Sequence, residues 1–73
     1  MARKRYWVVP VSSAWAVKLD QQVLSNHYLK SEAIDAGQKL AKANQPSQLI
    51  VKRQDGTIEF EWTYGNDPYP PQG

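Results

Sequence analysis

Few side chains in this sequence combine the type and the spacing that catalysis needs. The single histidine, His27, sits between Asn26 and Tyr28, and the chain has no cysteine. A protein metal site takes three or four ligands, so an isolated His27 reads as a solvated loop histidine. Ser12, Ser13, Ser25, Ser31 and Ser47 fall in turn or helix-start contexts, and none lies in a nucleophile-elbow pattern. Glu59 and Glu61 are two residues apart on a predicted strand and share a side, the spacing of a general acid/base pair. A predicted partner for Glu59, Lys52 on the neighbouring strand, makes them an ordinary surface charge ladder. The glycines at 37, 56, 65 and 73 are scattered and build no phosphate loop. The expectation is a protein without catalytic residues, bound metal or cofactor.

Binding chemistry is better represented. Arg3, Lys4, Arg5, Tyr6 and Trp7 put three cations beside two aromatic rings. Such a group can hold phosphates while stacking bases, and Lys18 would join Arg3, Lys4, Arg5 and Trp7 as a nucleic-acid surface. The signatures of known RNA-binding sheets are missing, and a basic solubilising N-terminus is the competing reading. Trp7, Val9 and Val11 form an apolar stripe on alternate residues. A contiguous exposed stripe of this kind marks an interface, and self-association as a dimer is the use expected of it. Tyr64, Pro68, Tyr69, Pro70 and Pro71 extend the candidate protein interface, and Pro68 to Pro71 formally contain a PxxP pattern.

These residues need elements to place them. Tyr6 to Val11 is β-branched and aromatic, and Ala14 to Asp20 alternates with period two, so the two read as a hairpin around Ser12-Ser13. That register sets Val11 opposite Ala14, Val9 opposite Ala16 and Val8 opposite Val17. One side then carries Tyr6, Val8, Trp15, Val17 and Leu19; the other carries Trp7, Val9, Val11, Ala16 and Lys18. Gln21 to Leu29 is polar and aperiodic and reads as a connection. Ala33, Ile34, Gly37, Leu40, Ala41 and Asn44 recur at helical spacing, predicting a helix from Lys30 or Ser31 to Ala43. Acids early and lysines late suit its dipole, and Gly37 on the buried stripe admits a closely packed sheet. Gln48 to Gln54 and Thr57 to Tyr64 flank Asp55-Gly56, predicting a second hairpin with a type I′ turn. It would pair Val51 with Phe60, Leu49 with Trp62, and Lys52 with Glu59.

The predicted fold is α+β: two β-hairpins flanking one helix, β-β-α-β-β, with an antiparallel sheet of four strands packed on that helix. Residues 1–64 form the domain and 65–73 a proline-rich tail. At 73 residues the chain lies near the size at which a core alone sustains folding, and without cysteine it has no disulfide staple. The net charge of +2 conceals an asymmetry, about +4 over residues 1–30 and −2 over 31–73. No apolar run is long enough for a membrane span or a signal peptide, so a cytoplasmic protein is expected.

The chain resembles the small bacterial family catalogued as domain of unknown function 2188. The resemblance is carried by Val8-Val9-Pro10, Trp15-Ala16-Val17-Lys18, Glu32-Ala33-Ile34, Leu40-Ala41, Asp55-Gly56 with Ile58, and Tyr64 to Pro71. Two places depart from the pattern. Ser12-Ser13-Ala14 stands where relatives tend to have a glycine, and Leu29 stands where threonine or serine would cap the helix. The resemblance implies one domain and carries no activity. It also implies that the proline-rich end is a packed or recognised segment. Function is therefore expected to be a non-enzymatic interaction module, probing either its own copies or another protein, with nucleic acid as the alternative partner and no membrane role.

Overall fold

The structure is a computed structural model and describes residues 3–65. Five strands and one helix follow in the order β1 (Lys4–Val11), β2 (Ala14–Leu19), β3 (Gln22–His27), α1 (Lys30–Ala43), β4 (Ser47–Lys52) and β5 (Ile58–Tyr64). They build one sheet of order β3-β2-β1-β4-β5, with α1 lying across β1, β2, β3 and β4.

The first hairpin has the expected register, from Val11 opposite Ala14 to Tyr6 opposite Leu19. Its turn is the two serines, with Ser12 at φ 49°. Side chains alternate as a pleated strand requires, so Tyr6, Val8, Trp15 and Val17 are buried beneath the helix. Leu49 and Val51 of β4 complete that floor, and Ala33, Gly37 and Ala41 are the helix residues that meet it. A β-carbon at Gly37 would stand 2.8 Å from Leu49 Cδ1 and 3.4 Å from Val8 Cγ2, so the missing side chain sets the distance between the layers.

The helix begins at Lys30, with Leu29 extended at the N-cap and giving no side-chain hydrogen bond. Its end is better held. Asn44 Nδ2 donates to the Leu40 carbonyl at 2.8 Å, and the buried Ser47 hydroxyl donates to the Ala41 carbonyl at 2.6 Å. Ser47 is thus a structural strand residue that ties α1 to β4.

The sheet differs from the expected one in three ways. It has five strands rather than four, because the segment taken as a connection contains β3. This strand pairs with β2 through a tight turn at Asp20, whose φ is 52°. It lies at the sheet edge with Val23 and Leu24 exposed, and a strand wetted on both faces has no need of apolar alternation. His27 consequently belongs to a strand, within 2.9 Å of the Ser25 hydroxyl.

Second, the sheet is mixed. β1 and β4 run parallel at its centre, with Tyr6 beside Leu49 and Trp7 beside Ile50. The two hairpins are joined by the crossover through α1, which returns the chain to the side of β1 with its direction preserved. Third, the second hairpin closes differently. Leu49 pairs with Trp62 and Val51 with Phe60 as expected, but Lys52 opposes Ile58 and the register shifts between Val51 and Lys52. The loop is Gln54-Asp55-Gly56: Gly56 N donates to Arg53 O at 2.9 Å, and Arg53 N to Thr57 O at 2.8 Å. Only Gly56 has positive φ, at 90°, whereas a type I′ turn needs it at both central residues. The extra residue is Glu59, which pairs with Lys30 on the helix side of the sheet instead of with Lys52. Glu59 and Glu61 are therefore separated.

Candidate functional site

The face of the sheet opposite α1 carries the residues of interest. Adjacent strands place partners side by side on one face, so the registers define a transverse row: Val23 of β3, Lys18 of β2, Trp7 of β1, Ile50 of β4 and Glu61 of β5. A second row sets Val9 beside the fully buried Ala16, and a third sets Arg5 beside Gln48 and Thr63.

Trp7 stands at the middle of this face. The Lys52 ammonium lies 5.2 Å from its ring centroid, within cation–π range. The aliphatic stem of Lys52 can then lie over the apolar surface while its charge stays wet. Trp7 and Val9 are half-buried, Val11 and Ile58 are exposed, and Ile50 is buried between its neighbours. Two shallow depressions flank the tryptophan. One, of about 240 Å³, is lined by Trp7, Val9, Lys18, Asp20, Gln21 and Lys52. The other, of about 300 Å³, is lined by Arg5, Trp7, Gln48, Ile50, Ile58 and Glu61.

The expected interface residues are thus partly united. Trp7, Val9 and Val11 share the open face, whereas Tyr64 packs against the core on the helix side. Pro68, Tyr69, Pro70 and Pro71 lie outside the described residues. Of the basic candidates, Arg5 and Lys18 flank Trp7. Lys4 precedes Tyr6 by two residues and shares its helix-side direction, and Arg3 Nη1 donates to the Tyr64 carbonyl at 3.3 Å. Ile50 and Lys52 are expected from the sequence on the wetter side of the second hairpin, though not as site residues, whereas Ile58, expected on the helix side, is turned to the open face by the register shift. The signal was the alternation Gln48, Ile50, Lys52, but only the β1–β4 pairing brings it beside Trp7.

Apolar groups also emerge elsewhere. Phe60 and Trp62 form a tilted ring pair, with centroids 4.5 Å apart and planes at 59°, on the helix side of β5, and Tyr28 and Leu29 are exposed before α1. Lys30, held by Glu59, lies 5.1 Å from the Trp15 ring centroid and closes that end of the core. Among the described residues, no group of three or more His, Asp or Glu side chains is arranged to hold a metal ion, and no helix is long and apolar enough to cross a membrane.

The hairpin loop displaces the titration of Asp55. The Thr57 hydroxyl donates to Asp55 Oδ1 at 2.6 Å and the Thr57 N–H at 3.0 Å, which hold the Asp55 carboxyl below its usual 3.8. This stabilises a turn and has no reacting partner.

The family model described as "Uncharacterized protein conserved in bacteria (DUF2188)" matches residues 6–64. The chain belongs to this bacterial family. The match covers every strand and the helix apart from the first two residues of β1, so the open face apart from Arg5 lies within the family domain. The proline-rich end that also carried the resemblance falls beyond the matched residues. Neither the curated proteins nor the solved structures searched contain a match. Membership brings the domain and no activity.

Proposed function

We propose that this protein is a non-enzymatic, cytoplasmic interaction module that self-associates as a homodimer through the open face of its sheet. The observation that carries the proposal is the position of Trp7: central in the sheet, on the face without the helix, seated beside the buried Ile50 and continuous with the accessible Val9, Val11 and Ile58. No described element lies over that apolar area, which a partner would take out of water. Trp7 has no structural duty in the core beneath α1, so conservation of the fold does not require a ring there. Trp7→Ser tests the proposal: the variant is expected to stay folded and to lose self-association in sedimentation equilibrium. An unchanged mass for a folded Trp7→Ser protein, or a wild type that is monomeric throughout, would overturn it.

A second reading follows from the cations. Arg5, Lys18 and Lys52 surround Trp7, an arrangement that can hold phosphates around a stacking ring. With about three phosphate contacts, single-stranded nucleic acid would bind with a log–log salt slope of about −2. Titration of a labelled oligonucleotide at low and moderate salt checks this, and absence of salt-dependent binding at low ionic strength excludes it.

A further inference from the structure

We infer that the second copy docks face to face about a two-fold axis that runs along the strands, between β1 and β4, so that Lys18 of each copy meets the partner's Glu61. This deepens the self-association reading and rests on it. The central row of the open face runs Lys18, Trp7, Ile50, Glu61 on four successive strands, with a cation at one end and an acid at the other. Its ends are three strand spacings apart, about 14 Å. The midpoint lies between Trp7 and Ile50. Rotation about an axis above that midpoint and parallel to the strands sets Lys18 against the partner's Glu61 and brings Trp7 over the partner's β4 at the buried Ile50, both twice by symmetry. Sheets packed in this way stand about 10 Å apart with strands inclined by about 30°, a gap that side chains from the two faces fill.

Charge selects this axis over the other one available to a face-to-face pair. A two-fold along the row itself would set Lys18 against the partner's Lys18 and Glu61 against the partner's Glu61. Among the described residues neither Lys18 nor Glu61 has an ion-pair partner within its own chain. Among the described residues Glu61 accepts a single, long hydrogen bond of 3.5 Å from Gln48. Size sets the strength. The axis leaves β3 outside the overlap, so four strands of about six residues present a face of roughly 14 by 20 Å, and a pair buries on the order of 700 Å², well below the standard interface of about 1,600 Å². The dimer is accordingly weak and exchanging.

The test is charge exchange read by sedimentation equilibrium at micromolar concentrations. Lys18→Glu and Glu61→Lys each replace two attractions by two repulsions and are expected to weaken self-association about tenfold. Mixed in equal amounts, the two variants regain the wild-type association, because the heterodimer has a lysine opposite an acid at both ends. The chain carrying both exchanges also self-associates like wild type. Dimerisation of wild type with no gain on mixing would overturn this geometry and leave self-association standing. A wild type that is monomeric at millimolar concentration would remove both.

Discussion

Gly37 offers a test of the packing on which the open face depends. In Gly37→Ala the new methyl lies 2.8 Å from Leu49 Cδ1, about 1 Å inside a comfortable carbon contact. Leu49 is fully buried between helix and sheet, so it has no vacant space into which to turn. Overpacking of this kind costs about 1–3 kcal/mol, against a gain of about 1 kcal/mol in helix propensity, leaving a net loss of about 1 kcal/mol. Leu49→Val removes the opposing Cδ1 and lowers stability by about 1 kcal/mol on its own. In that background Gly37→Ala has room, and the propensity gain of up to about 1 kcal/mol emerges. The two substitutions therefore couple by about 2 kcal/mol, measurable from urea unfolding curves of the four proteins followed by tryptophan fluorescence. If Gly37→Ala raises the stability of the parent as much as that of Leu49→Val, the close approach does not set the layer spacing.

Two further perturbations probe the ends of the second hairpin. Gly65 has φ 106° and its missing β-carbon would stand 2.9 Å from Pro46 Cα, whereas Gly56 has φ 90° and open space around it. Gly65→Ala is thus expected to lower stability by about 2 kcal/mol or more and Gly56→Ala by about 1 kcal/mol, and equal losses in thermal unfolding would contradict the Pro46 contact. Asp55 titrates below 3.8 because its charged form is hydrogen-bonded in the fold. Its stabilising contribution is complete above the unfolded value and is lost as pH falls through the lower folded value. Carboxyl NMR shifts should give a midpoint below 3.8 that returns toward it in Thr57→Ala, and a wild-type midpoint at or above 3.8 would refute the assignment.

Local pattern was a sound guide where one face of an element is dry. β1 and β2 alternate cleanly, so their register and their two faces were readable, and with them Trp7, Val9, Val11 and Lys18. The helix was readable from Ala33, Gly37 and Ala41, the residues that lie against the sheet. β3 was not, because neither of its faces is buried deeply enough to demand alternation. The β4–β5 register was readable only from Val51 inward, since a three-residue loop and one extra residue look like a two-residue loop when Asp55-Gly56 is weighed alone. The parallel contact of β1 with β4 joins residues more than forty positions apart, and no local signal encodes it. That contact sets Ile50 and Glu61 in the row with Trp7 and brings Lys52 to its ring, so the sequence showed the outer faces of the two hairpins but not that they adjoin.

The most direct measurement is a concentration series of backbone amide and tryptophan indole NMR shifts on the wild-type protein. The account predicts that shifts from micromolar to millimolar protein concentrate at Trp7, Val9, Lys18, Ile50, Lys52 and Glu61, with the outer helix residues Glu32, Asp35 and Lys39 unmoved. Shifts confined to the helix or to the β3 and β5 edges, or none at all, would contradict an interaction surface on the open face.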